Sequence, residues 1–168
     1  MAHSYLGWYV LYVKFQHEKK INHLLREMNF DSFLPTFEVS QRWSDRKKIV
    51  NKPLFPSYVF LNVRTKNEFF KALEIDGVFN YISFGGKYAK IRDSEILTIK
   101  KFITDSGISN VETSVNLPKV GELVKINSGA LEGLTCEVIK IENERRIFVY
   151  IESLKLNISA IVPSNYLI

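Results

Sequence analysis

The sequence predicts an α+β fold in two parts, an antiparallel sheet with helices followed by a small all-β barrel. Over residues 1–104, apolar residues repeat with period two in some segments and with helical spacing in others, in the order β-α-β-β-α-β-α. Residues 120–168 hold short strand-like segments without a helical stretch, which is typical of an SH3-like barrel. Between the two parts, residues 105–119 are rich in Ser, Asn and Thr and show no apolar period, which predicts a linker.

The elements of the first part follow from its apolar pattern. The segment GWYVLYVKF, residues 7–15, alternates like a strand and puts Trp8, Val10 and Tyr12 on one face. Four apolar residues spaced three and four apart predict an amphipathic helix: Ile21, Leu24, Leu25 and Met28. The remaining predicted elements are a strand over 33–39, a polar and basic hairpin tip or mobile loop over 41–52, a strand over 53–63, a short helix over 67–73, strands over 79–84 and 87–91, and a helix capped by Asp93 or Ser94.

The strand PLFPSYVFLNV, residues 53–63, carries an unusual second face. Pro53 and Pro56 predict a stiff entry, because proline has a fixed φ and no backbone N–H to donate. After this entry the side chains alternate between an aliphatic face, Val59, Leu61 and Val63, and a second face, Tyr58, Phe60 and Asn62. Two interpretations stay open: a strand buried on both faces, or an aromatic face at which a partner docks.

Composition excludes several classes of function. No run of about 18 apolar residues occurs, so we expect no membrane association. The single cysteine, Cys136, excludes an internal disulfide and a cysteine-rich metal site, and a cytoplasmic protein is expected. Residues 1–104 hold 17 Lys and Arg against 10 Asp and Glu, and residues 105–168 hold 6 against 8, so the net charge of +5 divides into +7 and −2. This asymmetry suggests two surfaces with different partners.

No catalytic constellation is apparent in the sequence. The histidines His3, His17 and His23 have no matching acid or cysteine arrangement, and the glycines match no phosphate-binding fingerprint. We therefore expect a protein that is not an enzyme and that uses no cofactor or metal.

Three segments together resemble the NusG family of transcription elongation factors. Residues 7–15 and 53–63 match its N-terminal polymerase-binding (NGN) domain, and VGELVKINSGALEGLTCEVIKI, Val120 to Ile141, matches its KOW domain. The resemblance covers nearly the whole chain, and its pieces occur in the family's order and spacing. It implies an NGN domain over 1–104, a linker over 105–119 and a KOW domain over 120–168.

The resemblance implies that the aromatic face binds RNA polymerase. In the family, this face forms the hydrophobic cavity that grips the clamp helices of the polymerase β′ subunit. Rigid aromatic side chains suit such a role, because they give a large contact area at a low entropy cost. The matching positions of this chain are Tyr12, Phe55, Tyr58, Phe60 and Ile91.

A second candidate surface is basic. Clustered cations can neutralise phosphates, and an exposed aromatic ring can stack on unpaired bases. By resemblance, the first helix would face the non-template strand of DNA in the transcription bubble, and the basic loop would face the upstream duplex; a solvated charged face is the alternative. The candidate nucleic-acid-binding residues are Lys14, Lys19, Lys20, His23, Arg26, Arg42, Trp43, Arg46, Lys47 and Lys48.

Two departures from the housekeeping pattern of the family predict a specialised paralogue. Ser57 stands where housekeeping members have Gly in Phe-Pro-Gly-Tyr, and PLFPSYVF is similar to the RfaH-type and UpxY-type paralogues, which suppress termination in selected long operons. Ser153-Leu154-Lys155 stands where housekeeping members carry Phe-Gly-Arg, in the barrel that recruits Rho or the ribosomal protein NusE.

The resemblance therefore predicts a monomeric elongation factor that binds RNA polymerase and promotes processive, antiterminated transcription of selected long operons, with NusE and the ribosome as candidate partners of the KOW domain. The alternatives are a housekeeping NusG-type factor linking polymerase to Rho or the ribosome, and a KOW-containing RNA-binding protein.

The C-terminal part is expected to be an ordinary β-barrel without a fold switch. In RfaH, a glutamate just before Pro-Leu-Phe-Pro pairs with an arginine and holds a helical C-terminal domain. Lys52 occupies that position here, and Arg145 or Arg146 would oppose it with like charge. The segments 135–142 and 147–152 are also rich in β-branched and aromatic residues.

Overall fold

The α+β class is confirmed by the computed structural model, which describes residues 5–115, 121–141 and 143–167, and of Ile141 the backbone alone. Its contacts divide the chain into two compact units, Met1–Asp93 and Ser94–Ile168. Among the described helices, none is both long and apolar enough to cross a membrane.

The first unit is built on an antiparallel sheet with the strand order β2-β5-β1-β6, in which β9 also pairs with β1. The pairs β3–β4 and β7–β8 form separate two-stranded sheets. The elements of this unit are β1 (Gly7–Val13), α1 (Glu18–Glu27), β2 (Asp31–Phe33), β3 (Thr36–Trp43), β4 (Arg46–Pro53), β5 (Tyr58–Val63), α2 (Lys66–Leu73), β6 (Val78–Tyr81), β7 (Ser83–Phe84), β8 (Lys87–Tyr88) and β9 (Lys90–Ile91).

The core of the first unit lies between the central sheet and the two helices α1 and α2. The aliphatic face predicted for residues 53–63 is confirmed, since the alternate residues of β5 and of β1 join Ile21 and Leu25 of α1 in one buried cluster. Phe69 of α2 stacks on Tyr81 of β6 with ring centroids 4.1 Å apart, and the Tyr81 hydroxyl donates to the Phe69 carbonyl at 2.9 Å. The members of the cluster from the two strands are Tyr9, Leu11, Val13, Val59, Leu61 and Val63.

Two predicted boundaries in this unit are wrong. The polar run 41–52 is neither a tip alone nor a loop, because it pairs residue by residue from Thr36↔Pro53 to Trp43↔Arg46 and forms a hairpin of two eight-residue strands. Residues 53–63 are not one strand: Pro53 ends β4, and β5 begins only at Tyr58. The reason is a turn at Phe55–Tyr58, in which the Tyr58 N–H donates to the Phe55 carbonyl at 3.2 Å.

The second unit is an antiparallel sheet with the order β10-β14-β13-β12-β11, preceded by a helix. Its core residues include Ile126, Leu131, Ile147 and Ile158. The all-β character predicted for the C-terminal part is thus confirmed. Its elements are α3 (Asp93–Thr104), β10 (Ser109–Ser114), β11 (Glu122–Lys125), β12 (Thr135–Ile141), β13 (Glu144–Ile151), β14 (Leu156–Val162) and the short 3₁₀ helices Glu152–Leu154 and Ser164–Leu167.

The expected linker is only partly a linker. Its residues 109–114 form β10, which pairs with β14 through Glu112↔Ser159 and neighbouring positions, and Val111 is buried. Polar residues can form an edge strand without an apolar period, because the backbone supplies the hydrogen bonds. Residues 116–119, together with Val120 at the expected start of the barrel, lie outside the described residues, as does His3. The division of contacts at 93/94 also differs from the boundary expected at 104/105.

Candidate functional site

The structure brings the five predicted polymerase-binding residues to the face of the central sheet that lies opposite α1 and α2. In the β1–β5 pairing, Tyr12 lies opposite Tyr58, and Val10 lies opposite Phe60. Phe55, from the turn before β5, lies 5.5 Å from Phe60 and 6.3 Å from Tyr58 between ring centroids. Ile91 of β9 pairs with Trp8 on the same face. One face of β1 therefore assembles residues that are up to 79 positions apart in the chain.

These residues differ in exposure. Phe55, Phe60 and Ile91 are buried, Tyr58 is half-buried and Tyr12 is 45% exposed. Burial, followed by the neighbouring Tyr12, raises the pKa of the Tyr58 phenol above its ordinary value, so this hydroxyl stays protonated at neutral pH. The buried rings thus form a rigid floor, and the tyrosines are the members that a partner can reach.

Phe79 extends this face, and the sequence pattern did not identify it. Its ring centroid lies 5.5 Å from that of Tyr12, and its side chain is 61% exposed. The register between β1 and β6 shifts between Tyr12 and Val13, so an irregularity turns Phe79 toward Tyr12. Strict alternation along β6 places Phe79 with Tyr81, on the core side, which is why the pattern misses it. We refer to Tyr12, Tyr58 and Phe79 as the aromatic patch.

The turn that leads into β5 is held by a buried carboxylate. Ser57 has φ of +65° and directly follows Pro56, so the two residues fill the second and third positions of a type II turn. Its N–H donates to Glu18 Oε1 at 2.8 Å, and its carbonyl accepts from the Val13 N–H at 2.9 Å. Glu18, at the first position of α1, is buried there and also benefits from the positive end of the helix dipole. Helix α1, β1 and the aromatic turn are therefore fixed to one another.

The predicted basic residues all lie at the surface of the first unit, in two groups. Lys14, Lys20, His23 and Arg26 are exposed along or beside α1, where His23 lies 3.3 Å from Glu27 and Arg26 donates to the Ser32 carbonyl at 3.5 Å. The second group lies on the β3–β4 hairpin and comprises Arg42, Trp43, Arg46, Lys47 and Lys48.

Lys19 joins the two groups. Its Nζ donates to the carbonyl of Asn51 in β4 at 2.7 Å, which ties the basic side of α1 to the base of the hairpin. The arrangement gives a positive surface that continues from α1 onto the hairpin.

In the second unit, the turn between β13 and β14 is held by a buried carboxylate of α3. Glu95 accepts hydrogen bonds from the N–H of Ser153, at 3.0 Å, and from its hydroxyl. Leu154 is buried beside it, and Lys155 adopts a left-handed backbone with φ of +53°. Ser153 therefore faces inward and contributes no exposed aromatic ring to this turn.

A second carboxylate fixes the end of α3 to the sheet of the same unit. Asp105 accepts hydrogen bonds from the Tyr166 hydroxyl at 2.8 Å and from the N–H of Ala130 at 2.9 Å. Burial and the bond to Asp105 raise the pKa of Tyr166. Sequence reasoning identified neither Glu95 nor Asp105, because each acts on a residue at least 25 positions away.

The described residues offer no group of three or more His, Cys, Asp and Glu side chains that could hold a metal ion. Cys136 is buried, and burial raises the pKa of its thiol to about 11, so it is mostly a protonated, unreactive thiol at neutral pH.

The described residues thus combine an aromatic sheet face and a basic hairpin in the first unit with a five-stranded antiparallel sheet in the second. The chain belongs to the NusG family: the family model described as "Transcription termination factor nusG" matches residues 6–100, more than half of the chain. The chain is also similar to the "Transcription termination/antitermination protein NusG" of Rickettsia bellii (strain RML369-C), with 28% identity over 156 residues, which cover 82% of this chain and 76% of that protein.

One matching solved structure supports the same fold. The structure described as "Domain interaction in Thermotoga maritima NusG" has a TM-score of 0.60 at 20% identity, and the match covers 95% of this chain and 94% of that one. The MjSpt4:Spt5 complex in conformation A is much less similar, with a TM-score of 0.33 at 17% identity and 96% of each chain covered.

Proposed function

We propose that this protein is a cytoplasmic, monomeric transcription elongation factor that binds RNA polymerase and promotes processive, antiterminated transcription of selected long operons. NusG-family proteins are transcription factors that interact with RNA polymerase, and they are not enzymes. The observation that carries the proposal for this chain is the aromatic patch, in which Tyr12, Tyr58 and Phe79 lie together on one sheet face over buried Phe55 and Phe60.

The patch suits the clamp helices of the polymerase β′ subunit for a physical reason. Exposed aromatic residues fixed on a sheet lose little side-chain entropy on binding, and a rigid floor lets them bury a large area against an apolar helix surface. Phe55 and Phe60, with ring centroids 5.5 Å apart, are buried on this face, and Ile91 is buried beside Trp8 on the same face. Tyr12, with its ring partly exposed and contacted by Phe79, is the central anchor.

The specialised role rests on the β13–β14 turn. A turn that recruits Rho through an exposed aromatic side chain cannot do so with Ser153, whose hydroxyl is bonded to Glu95, or with buried Leu154. We propose that the KOW domain, residues 120–168, uses other contacts, with NusE and the ribosome as candidate partners.

The test of polymerase binding is a pull-down of core RNA polymerase by the full chain. We expect wild type to bind and the double variant Tyr12→Ala/Tyr58→Ala to lose at least about tenfold in affinity, as substitution of two interface anchors does. The matched control is Tyr150→Ala, since Tyr150 is a 48% exposed tyrosine of the second unit. Phe60→Ala is unsuitable, because truncating a fully buried phenylalanine costs about 3–5 kcal/mol of stability.

Equal binding by wild type and the double variant would place the polymerase contact elsewhere. The specialised role is tested separately, by transcription through a Rho-dependent terminator with and without the protein. Increased read-through is expected, and increased termination would favour the housekeeping alternative.

A further inference from the structure

Glu18 is a buried acidic residue that lies next to the aromatic patch without belonging to it. It occupies the first position of α1, and its Oε1 accepts the Ser57 N–H at 2.8 Å. Burying an acidic side chain costs free energy unless hydrogen bonds compensate for the lost water. The bond to Ser57 is therefore the contact from which a role for Glu18 can be argued.

The Ser57 N–H has no acceptor within its own turn. The hydrogen bond that closes the turn runs from the Tyr58 N–H to the Phe55 carbonyl at 3.2 Å, and Pro56 has no N–H to donate. Ser57 also holds a φ of +65°, which disfavours a residue with a Cβ. A partly buried N–H that loses its acceptor is costly, so this turn depends on the acceptor that Glu18 supplies from outside it.

The same peptide connects Glu18 to the aromatic patch. The Ser57 carbonyl accepts from the Val13 N–H at 2.9 Å, and Val13 directly follows Tyr12 in β1. Tyr58, the residue after Ser57, lies opposite Tyr12 in the strand pairing. A chain of two hydrogen bonds, from Glu18 to Ser57 and from Ser57 to Val13, thus fixes how the two tyrosines lie beside each other.

Glu18 reaches this turn from the side of the sheet opposite the patch. Helix α1 packs Ile21 and Leu25 into the core cluster on the helix side, whereas Tyr12 and Phe79 contact each other on the other face. A partner bound to the aromatic patch does not meet the buried carboxylate. Any influence of Glu18 on binding therefore passes through the turn.

We propose that Glu18 is a positioning residue for polymerase binding, which keeps the Phe55–Tyr58 turn in the conformation that sets Tyr58 beside Tyr12. This inference rests on the proposed function. An N–H without an acceptor shifts a local equilibrium by about fivefold to more than a hundredfold, so without Glu18 the turn spends much of its time in other conformations. When only a fraction of the molecules can bind, the apparent dissociation constant rises by the reciprocal of that fraction, and we expect a rise of about three- to tenfold.

The rate constants of binding to core RNA polymerase distinguish positioning from direct contact. The full chain is bound to immobilised core polymerase at a temperature at which circular dichroism shows every variant to be folded. A smaller binding-competent fraction slows association and leaves dissociation of the complex unchanged, so Glu18→Ala should lower the association rate constant about three- to tenfold. Tyr12→Ala, which removes a 45% exposed side chain from the patch itself, should instead raise the dissociation rate constant.

Two conservative variants separate the reach of the side chain from its charge. Glu18→Gln keeps the length and an oxygen acceptor without the charge, so it should associate within about twofold of wild type. Glu18→Asp keeps the charge but is one methylene shorter, so it should associate as slowly as Glu18→Ala. The matched control is Tyr81→Phe, which removes another buried hydrogen bond of the first unit, from the Tyr81 hydroxyl to the Phe69 carbonyl at 2.9 Å, and should change neither rate constant.

The proposal is overturned if Glu18→Ala associates at the wild-type rate, if Glu18→Gln is as slow as Glu18→Ala, or if Tyr81→Phe slows association equally, because a general loss of stability would then explain the effect. If Glu18→Ala does not fold, the comparison of Glu18→Gln with Glu18→Asp decides in the same way. Weaker binding by Tyr12→Ala without any effect at Glu18 would refute this proposal and leave the proposed function standing. Absence of binding by wild type would refute both.

Discussion

Replacing Ser57 by glycine should stabilise the first unit. Ser57 has φ of +65° at the third position of the Phe55–Tyr58 turn, a backbone region that disfavours residues with a Cβ. Its stabilising contacts are made by the backbone: the N–H donates to Glu18 and the carbonyl accepts from Val13. Glycine keeps both of these hydrogen bonds, so the substitution changes the local conformational energy and little else.

The size of the effect follows from two opposing terms. A left-handed conformation costs a residue with a side chain about 1–2 kcal/mol, whereas glycine adds about 0.5–1 kcal/mol of backbone entropy to the unfolded chain. The expected gain is therefore about 0.5–1 kcal/mol. For a unit of this size, 1 kcal/mol corresponds to about 4–8 °C in melting temperature, so the midpoint should rise by about 2–8 °C.

Thermal and denaturant unfolding followed by tryptophan fluorescence would measure this change, because Trp8 is buried in the central sheet. The control is Ser40→Gly, an exposed position of β3 outside the left-handed region, where glycine should instead destabilise by about 0.5–1 kcal/mol. A lower or unchanged midpoint for Ser57→Gly would show that the turn carries no strain and refute the reasoning.

Three further predictions concern buried groups. Glu18→Ala should lower the free energy of unfolding, measured with denaturant, by about 1–3 kcal/mol, because the Ser57 N–H loses its acceptor. Glu18→Gln should lower it less, and equal losses for the two variants would contradict this role of the hydrogen bond. Cys136, whose pKa is raised from 9.0 to about 11, should resist thiol reagents at pH 8 in the native state, and rapid labelling of the native protein would contradict its burial. The stabilisation that comes from its raised pKa should be complete below pH 9 and should be lost as the pH rises toward 11. Cys136→Ala should remove that part of the pH dependence of unfolding. Glu95→Ala should accelerate hydrogen exchange at the Ser153 amide, and unchanged exchange would show that this bond does not hold the turn.

The sequence predicts best where apolar residues alternate. The faces of β1 and β5 follow from period two, because one face of each strand meets the helices and must be apolar. The hairpin of β3 and β4 was underestimated, because its residues 41–52 are mostly polar and exposed and so show little apolar alternation beyond Val39. Ser109–Ser114 was missed for a related reason: it pairs at an edge, through its backbone.

The candidate site was predicted in part for the same physical reasons. Alternation along β1 and β5 brought Tyr12, Tyr58 and Phe60 to one face, but it did not indicate that Phe60 would be buried and Tyr12 exposed. The position of Phe79 beside Tyr12 depends on an irregular strand pairing, and such an irregularity leaves no periodic pattern in the sequence. Glu18 was also missed, since its hydrogen bond to Ser57 spans 39 residues.

Two buried carboxylates that sequence reasoning missed, Glu18 and Glu95, bear on the proposal that the two units bind different partners. Glu18 fixes the turn below the aromatic patch, so the patch has a rigid base for binding a partner. Glu95 fixes the β13–β14 turn with Ser153 bonded to it and Leu154 buried, so this turn presents no exposed apolar ring to a partner. The aromatic patch and the β13–β14 turn thus lie in different units and are fixed by different carboxylates, so one can change in sequence without altering the other, which is what the proposed specialised role requires.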